Sequence, residues 1–470
     1  MPLEYIQPRV AVDESDVGPR PTPAVSLSDI GVVGTFSKGV VNTPVTVGSV
    51  DQLVSYFGGY VSGLTGYPAV LAALAQGANS FKVVRIGGAS IDSAAHTFKD
   101  ASNADSVVVT AKTPGSWGNS ITGAVASGTT GGTFKLIITY GVQQETFDNL
   151  TLDDVATKVV SQFVTAAKAA AATAIPANIL ATPLSGGDDG ATTEDADYVG
   201  TIDGNGNRFG LKVLETVRCG IVICAGQYST TIRNALLTHC ANLGLASGLR
   251  VAVLNTDRGL SPDQAVASVG AMDSMRGVLA YPWVELSDLA GVMIPPDGVY
   301  AGRLATLGGH ESPSNKQIAG INSTERYLAE ADIKALTQAR ISPIALDGNR
   351  GFRIRNGVTL SSDSAWSQTN IRRIFDELEM EIYEATQWAK SENNTPKLRK
   401  AIADQIDNYL VVKKQQEKIY DFKPTICDET NNTPETIQAR ILNSRIRIRP
   451  NYAADYIDHR IQRLVGNESS

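Results

Sequence analysis

Apolar positions along this chain recur with two periods, and the way these alternate outlines its architecture. DIGVVGTF (29–36) is a short apolar run of strand length. VDQLVSYFG (50–58) predicts a helix that ends at Gly58-Gly59, and YPAVLAALAQGA (67–78) predicts a second, with Leu71, Leu74 and Ala75 at helical spacing. NSFKVVRIG (79–87) is again strand-like, so the segment reads as a βαβ unit. After a long interruption the pattern resumes. TVRCGIVICAG (216–226), RVAVLNT (250–256) and GVLAYPWVEL (277–286) predict strands. TIRNALLTHCANLG (231–244) and SPDQAVASVGAMDS (261–274) predict helices, the latter opened by Ser261 and Pro262 at cap and first-turn positions. Strands alternating with helices predict a mainly parallel sheet.

The interruption, residues 90–185, has a different character. It is rich in Ala, Thr, Ser and Gly, with β-runs DSVVVTAK (105–112), ITGAVAS (121–127) and TFKLIITY (133–140). GTTGGT (128–133) reads as a hairpin turn between two of them, LDDVATKVVSQFVTAAKAAAATA (152–174) as a helix, and SGGDDG (185–190) as a closing turn. The last third changes again. Residues 362–390 predict a helix with Ile371, Ile374, Phe375, Leu378 and Ile382 on one stripe, and residues 395–416 a second, capped by Thr395 and Pro396. Short strands follow at 418–428, 443–450 and 456–464. The first 24 residues carry a loosely alternating stretch, Leu3 to Val12, and then Pro19, Pro21 and Pro23, which favour extended backbone. Twelve extended residues reach about 40 Å. The segment reads as an arm, with a disordered terminus as the alternative.

The expected fold is therefore mixed α/β. An α/β core (25–89 and 186–344) carries an inserted β-rich domain (90–185) and is followed by a C-terminal α+β domain (345–454). Extended arms lie at residues 1–24 and 455–470.

Composition narrows the function. The 470 residues are 43% hydrophobic and 19% charged, a globular balance. No apolar run has the length of a membrane span, and the N-terminus lacks the basic and apolar regions of a secretory signal. The net charge is −7. Basic and acidic groups nearly balance over residues 341–470, leaving the acid excess to the first 340 residues. A nucleic-acid binder is expected to carry a strongly basic domain, and this chain does not. Cys219, Cys224, Cys240 and Cys427 form no CxxC and read as core thiols.

Chemistry-bearing motifs are weak. His96, His239, His310 and His459 stand apart from any HExxH. DGNGNRFG (203–210) sets Asp203, Asn205 and Asn207 at calcium-loop spacing, but Arg208 stands where Gly is required and Leu214 where Glu is, so a turn is the better reading. No Gly-rich stretch matches a phosphate loop, no GxSxG elbow occurs, and Asp188-Asp189 reads as a solvated pair in a turn. No cofactor and no catalytic residue are expected. RIRIR (445–449) puts Arg445, Arg447 and Arg449 on one strand face. This is either a half-buried strand with a wet basic side or a stripe that meets an acidic partner.

Several segments, in order, resemble the contractile tail sheath family of phages, tailocins and injection machines. VGTFSKGVVNTPVTVGSVDQLVSYFGG resembles the family's first strand and the run after it. KTPGSWGNSI (112–121) and LSGGDDG (184–190) are similar to the entry and exit signatures of its inserted domain. MIPPDGVYAGRLA (293–305) with ESPSNKQIAG (311–320), and CDETNNTPETIQARILNSRIRIRPNYAADYIDHRI at the end, continue the resemblance. It implies a structural subunit, not an enzyme, forming hexameric rings stacked as a helical polymer around a tail tube. It also implies a metastable extended state that contracts. The terminal arms would donate strands to neighbouring subunits, through Tyr5, Ile6, Val10 and Val12 at one end and Tyr456, Ile457, Ile461 and Leu464 at the other. The C-terminal domain would face the tube, with Arg372, Arg373, Lys397, Arg399, Lys400, Arg445, Arg447 and Arg449 as candidate contacts, and the inserted domain would lie outside. Implied partners are the neighbouring subunits, the tube protein, and baseplate and terminator proteins, with neither nucleic acid nor membrane insertion. The implied location is a virion tail or tail-like particle assembled in the bacterial cytoplasm. The competing readings are another self-assembling shell or surface-layer protein and an α/β hydrolase.

Overall fold

The computed structural model describes residues 24–190 and 192–463, which fall into two compact units. The larger comprises Ser26–Glu377 with Tyr452 onward, the smaller Leu378–Asn451 together with the chain up to Val25.

The larger unit is built on an 8-stranded sheet. Its order is Phe352–Ile354, Ile341–Leu346, Gly277–Tyr281, Val251–Asn255, Ile221–Cys224, Ile30–Thr35, Phe81–Ile86 and Pro44–Val47. The interior strands pair in parallel and the two edge strands antiparallel. Nearly every interior position is apolar because helices cover both faces. Val32, Val83, Ile221, Ile223 and Val253 face one core with helices Val50–Phe57, Gly66–Ala75 and Asp297–Ala305. Their chain neighbours Val33, Val84, Val222, Cys224 and Leu254 face the other, with helices Thr230–Asn242, Pro262–Ser268 and Glu330–Gln338. This is the two-residue strand period written into two cores.

Two helices of the first face touch through small residues. A Cβ on Gly298 would stand 2.2 Å from the Ala69 carbonyl oxygen, and one on Gly302 2.5 Å from Ala73 Cα. Gly298 and Gly302, four residues apart on one helix face, thus form a close-packing stripe.

The inserted segment has a core of its own, formed by Phe98, Val107, Val109, Ile121, Leu136, Ile138 and Phe163 among others. Two sheets enclose it, one of three strands and one of four. Here the expected helix over 152–174 fails. Only Val155–Lys158 is helical, and Val164–Lys168 is a strand antiparallel to Asp105–Ala111. The cause is local. Ser161 Oγ accepts the amides of Phe163 and Val164 at 3.0 Å each, which replaces helical bonding. Beyond it Val164 and Ala166 turn inward while Thr165 and Ala167 turn out, a period of two hidden by the Ala content.

Other expectations shift in place. The run 277–286 is two strands, because Pro282 has no N–H to continue the ladder. Val284–Leu286 pairs instead with Met293–Ile294 and Ile321–Thr324. The helix from Ser261 stops at Ser268, with Ser261 and Gln264 forming a capping box. Because Ile341–Leu346 and Phe352–Ile354 complete the main sheet, the second unit begins at Leu378, not at residue 345. Residues 456–463 form no strand within this chain, and Leu3 to Val12 lies outside the described residues.

Candidate assembly site

In an open α/β sheet a ligand is expected where the strand order reverses. That point lies between Ile30–Thr35 and Ile221–Cys224, the strands from which the chain grows in opposite directions. A cavity of about 500 Å³ opens on this side of the larger unit, lined by Tyr60, Pro68, Gly226, Arg258, Trp283 and Asp297 among others. Its carboxylate serves the fold. Asp297 is 1% exposed and accepts from the Gly226 amide and Asn255 Nδ2 at 3.0 Å each, and from the Gly298 amide at 2.7 Å. Burial pushes its pKa up to about 6. It ties two strand ends to a helix start, leaving little of the carboxylate open to a substrate.

The remaining candidate groups are likewise absorbed. Asp203 accepts the amides of Asn205 and Asn207 at 2.9 and 2.8 Å, which closes the turn expected there. All of the cysteines are buried. No group of three His, Cys, Asp or Glu side chains among the described residues could hold a metal. Asp188 and Asp189 are not a free solvated pair. Asp189 accepts both the amide and the hydroxyl of Ser116 at 2.7 Å, and Asp188 accepts the Gly190 amide at 2.7 Å.

His239 is 4% exposed, and its Nε2 lies 3.3 Å from Arg250 Nη1. The guanidinium can only donate, so Nε2 carries the lone pair. Burial, then the Arg250 charge, pull the pKa down to about 3. The unfolded chain, with an ordinary histidine, binds the proton first as pH falls, so this group weakens the fold below about pH 6.5. Asp297 acts oppositely. Its raised pKa makes the folded state the better proton binder between its ordinary value of 3.8 and about 6. Comparing unfolding free energies of wild type and His239→Gln at pH 7 and pH 5 isolates the histidine. The variant is expected to lose about 2 kcal/mol less than wild type over that interval. Equal losses would place the imidazole in contact with water.

The smaller unit holds the surface chemistry. Helix Pro396–Gln415, capped by Thr395 Oγ1 on the Leu398 amide, packs against strand Ile419–Ile426. That strand pairs antiparallel with Arg445–Pro450. The turn between them is pinned by Asn432, 1% exposed, whose side chain bonds the Asp428 carbonyl, the Asn443 carbonyl and the Asn443 amide. Inside, Glu381 pairs with Lys413 at 2.6 Å and accepts from the Tyr409 hydroxyl and, at 3.3 Å, from the Val25 amide. Each strand has a partner on one side only, so among the described residues both long edges of this two-stranded sheet are open. An open edge is a row of backbone donors and acceptors that can template another strand.

The candidate contact residues divide. Arg372 and Arg373 are 3% and 1% exposed and belong to the larger unit. Arg372 pairs with Asp376 at 2.8 Å, and Arg373 donates to the Leu307 carbonyl at 3.2 Å. Arg399, 3% exposed, pairs with Glu429 at 2.7 Å. These three are interior ions, not the surface contacts expected of them. A sequence stripe cannot show that a helix is enclosed on its polar side as well. Lys397 is exposed, and so is Lys400, which pairs with Asp404 at 3.0 Å. Arg445, Arg447 and Arg449 are exposed along one face of their strand, with Arg449 stacked 4.4 Å from the Tyr420 ring. Of the arm positions, Tyr456, Ile457 and Ile461 are 84%, 70% and 94% exposed. Tyr5, Ile6, Val10, Val12 and Leu464 lie outside the described residues.

Comparison with known proteins gives this surface a context. Residues 361–463 match the phage tail sheath C-terminal domain family. The tail sheath protein of Vibrio phage KVP40 is 29% identical over 177 residues, 37% of this chain and 26% of that protein. The putative prophage major tail sheath protein of Pseudomonas aeruginosa is 27% identical over 211 residues, 42% of this chain and 54% of that protein. The chain thus spans only about a quarter to a half of the length of these curated relatives. The tail sheath protein of Burkholderia phage BcepMu is 25% identical over 392 residues, covering 77% of this chain and 76% of that protein. In fold, the sheath tail protein of Desulfitobacterium hafniense matches with a TM-score of 0.67 at 16% identity, over 90% of this chain and 94% of that one. The sheath of an extracellular contractile injection system in its contracted state matches with a TM-score of 0.60 at 14% identity, over 98% and 99%. Residues 361–463 are thus similar to the phage tail sheath C-terminal domain family, and the chain that bears them has the fold of contractile sheath proteins.

Proposed function

We propose that this chain is the structural subunit of a contractile tail sheath, polymerising as stacked rings around a tail tube and shortening to drive that tube through a target envelope. The observation that carries the reading is the two-stranded sheet of Ile419–Ile426 and Arg445–Pro450, open on both edges among the described residues, inside the segment that matches the sheath domain. Two strands alone make a marginal sheet. Strands of neighbouring subunits, residues 3–12 from one and 455–464 from another, would complete it by edge addition. Flexible arms would then keep subunits linked while their bulk rearranges between a metastable and a lower-energy lattice. The inserted domain would lie outside, where its small polar surface tolerates change. The ends of the polymer would meet baseplate and terminator proteins, in a tail or tail-like particle assembled in the bacterial cytoplasm. The role needs no catalytic centre, which is why the cavity at the strand-order reversal is read as structural.

Tube contact falls to the exposed cations that remain, Arg445, Arg447 and Arg449 with Lys397 and Lys400. Exposed ion pairs are worth about 0–1 kcal/mol each, weak enough singly to release and numerous enough in a ring to orient subunits. Electron microscopy of the purified chain, alone and with its tube protein, tests both levels. Hollow helical cylinders support the sheath, whereas flat lattices or monomers favour another shell protein. With Arg445, Arg447 and Arg449 changed to Glu, cylinders are expected to form but to be empty. Normal extended sheath on tube would remove the arginine strand as the contact.

A further inference from the structure

Three of the sequence segments that mark the inserted domain and its surroundings converge on one side chain. Arg85 is the next-to-last residue of strand Phe81–Ile86 and is 0% exposed. Its Nη1 donates to the Gly39 carbonyl at 2.8 Å, in the loop after Ile30–Thr35, and to the Pro114 carbonyl at 2.6 Å, in the PGSWGN turn. Its Nη2 stands 4.0 Å from Asp189, in the GGDDG turn that leaves the insertion. Asp189 in turn holds the Ser116 amide and hydroxyl. Around this point the backbone crossings are tight. Asp92 and Asp188 exchange amide bonds at 3.2 and 3.0 Å, and the Gly115 amide donates to the Asp92 carbonyl at 2.9 Å. At φ +132, Gly115 has no room for a side chain, since a Cβ there would stand 2.1 Å from the Ser37 carbonyl oxygen. Lys38 closes the outer side, its Nζ 4.8 Å from the Trp117 ring and 5.6 Å from that of Tyr140.

We infer that Arg85 is a latch, fixing the inserted domain in one orientation on the α/β core. Packing alone gives no reason for an arginine here. Its Nε and Nη2 lack hydrogen-bond partners, and an enclosed guanidinium facing carbonyls and a carboxylate 4.0 Å away bears a desolvation penalty that an apolar side chain of similar volume avoids. Burial pulls its pKa down to about 10, with Asp189 opposing, so the charge persists at neutral pH. What the guanidinium does, and methionine cannot, is bind the Gly39 loop and the Pro114 turn at once, with a carboxylate close by. The insertion keeps its own hydrophobic core and does not depend on the latch to fold.

The test is amide hydrogen exchange, read by segment in the full chain, for Arg85→Met and Asp189→Asn. With Arg85→Met, exchange at residues 38–41, 113–119 and 186–190 is expected to rise about tenfold or more, while the strands Ile30–Thr35, Ile221–Cys224, Asp105–Ala111 and Phe134–Tyr140 keep wild-type protection. Wild-type exchange at all three crossings would overturn the latch. So would an equal loss of protection in those strands, which would make Arg85 an ordinary core residue. If Arg85→Met fails to fold, Asp189→Asn decides. Faster exchange at 38–41, a segment coupled to Asp189 through Arg85, supports the latch, and a change confined to 113–119 and 186–190, or none at all, overturns it.

Discussion

A chain lacking residues 1–24 is expected to fold normally and to form no cylinders at all. Among the described residues, the hydrophobic cores of the larger unit draw on Ile30 onward. The subunit that loses its arm therefore loses little, and its thermal melt should match that of the full chain. The effect falls on the neighbour, whose two-stranded sheet keeps an open edge where a third strand would bond. With the strand donation proposed above, each ring position would depend on the same addition, and the loss is expected to be all-or-none. Electron microscopy and sedimentation read it directly, and normal cylinders from the truncated chain would exclude strand donation by this arm.

The second large effect is expected at Asp376. It is 1% exposed and lies 2.8 Å from both Arg276 and Arg372, which are themselves buried. Arg372 also stacks 4.6 Å from the Trp366 ring. Asp376→Ala leaves two enclosed guanidinium groups without the carboxylate between them. Breaking a buried pair by removing one partner costs about 3–5 kcal/mol. Urea unfolding should show a loss in that range for Asp376→Ala. Replacing all three with apolar residues of similar volume should recover most of it, because the desolvation penalty disappears together with the attraction. A loss under about 1 kcal/mol would show that water reaches the cluster.

That cluster also shows where sequence reasoning reaches its limit. The stripe of Ile371, Ile374 and Leu378 is buried as its spacing predicts, and Phe375 and Ile382 are half-buried. The arginines beside them looked solvated, yet Arg372 pairs with Asp376 on its own helix, and Asp376 also binds Arg276 from a hundred residues away, while Arg373 donates to the Leu307 carbonyl. The main sheet was legible because two-sided burial makes strands such as Val251–Asn255 uniformly apolar, and Gly58 marked a helix end by its positive φ. The strand Gln143–Leu150 was not legible, since its sequence QQETFDNL is polar and largely faces water. Nor was Val164–Lys168, where alanine suits either period. At the assembly site, the exposed arginine face of Arg445–Pro450 followed from alternation alone. The open edges did not, because an unpaired edge is a property of the sheet and leaves no mark on the strand.

The bond between the Val25 amide and Glu381 ties the start of the described chain to the smaller unit, and in the proposed sheath a load on the N-terminal arm would enter the subunit there. Tension drawn along the N-terminal segment arrives at a carboxylate that Lys413 and Tyr409 already hold from helix Pro396–Gln415. The pull is therefore shared at its first point of contact by two helices of one unit, through a charge-assisted cluster screened from water. In the proposed sheath this cluster would anchor the arm, so a ring under stress would pull on a buried ion pair rather than on a surface contact.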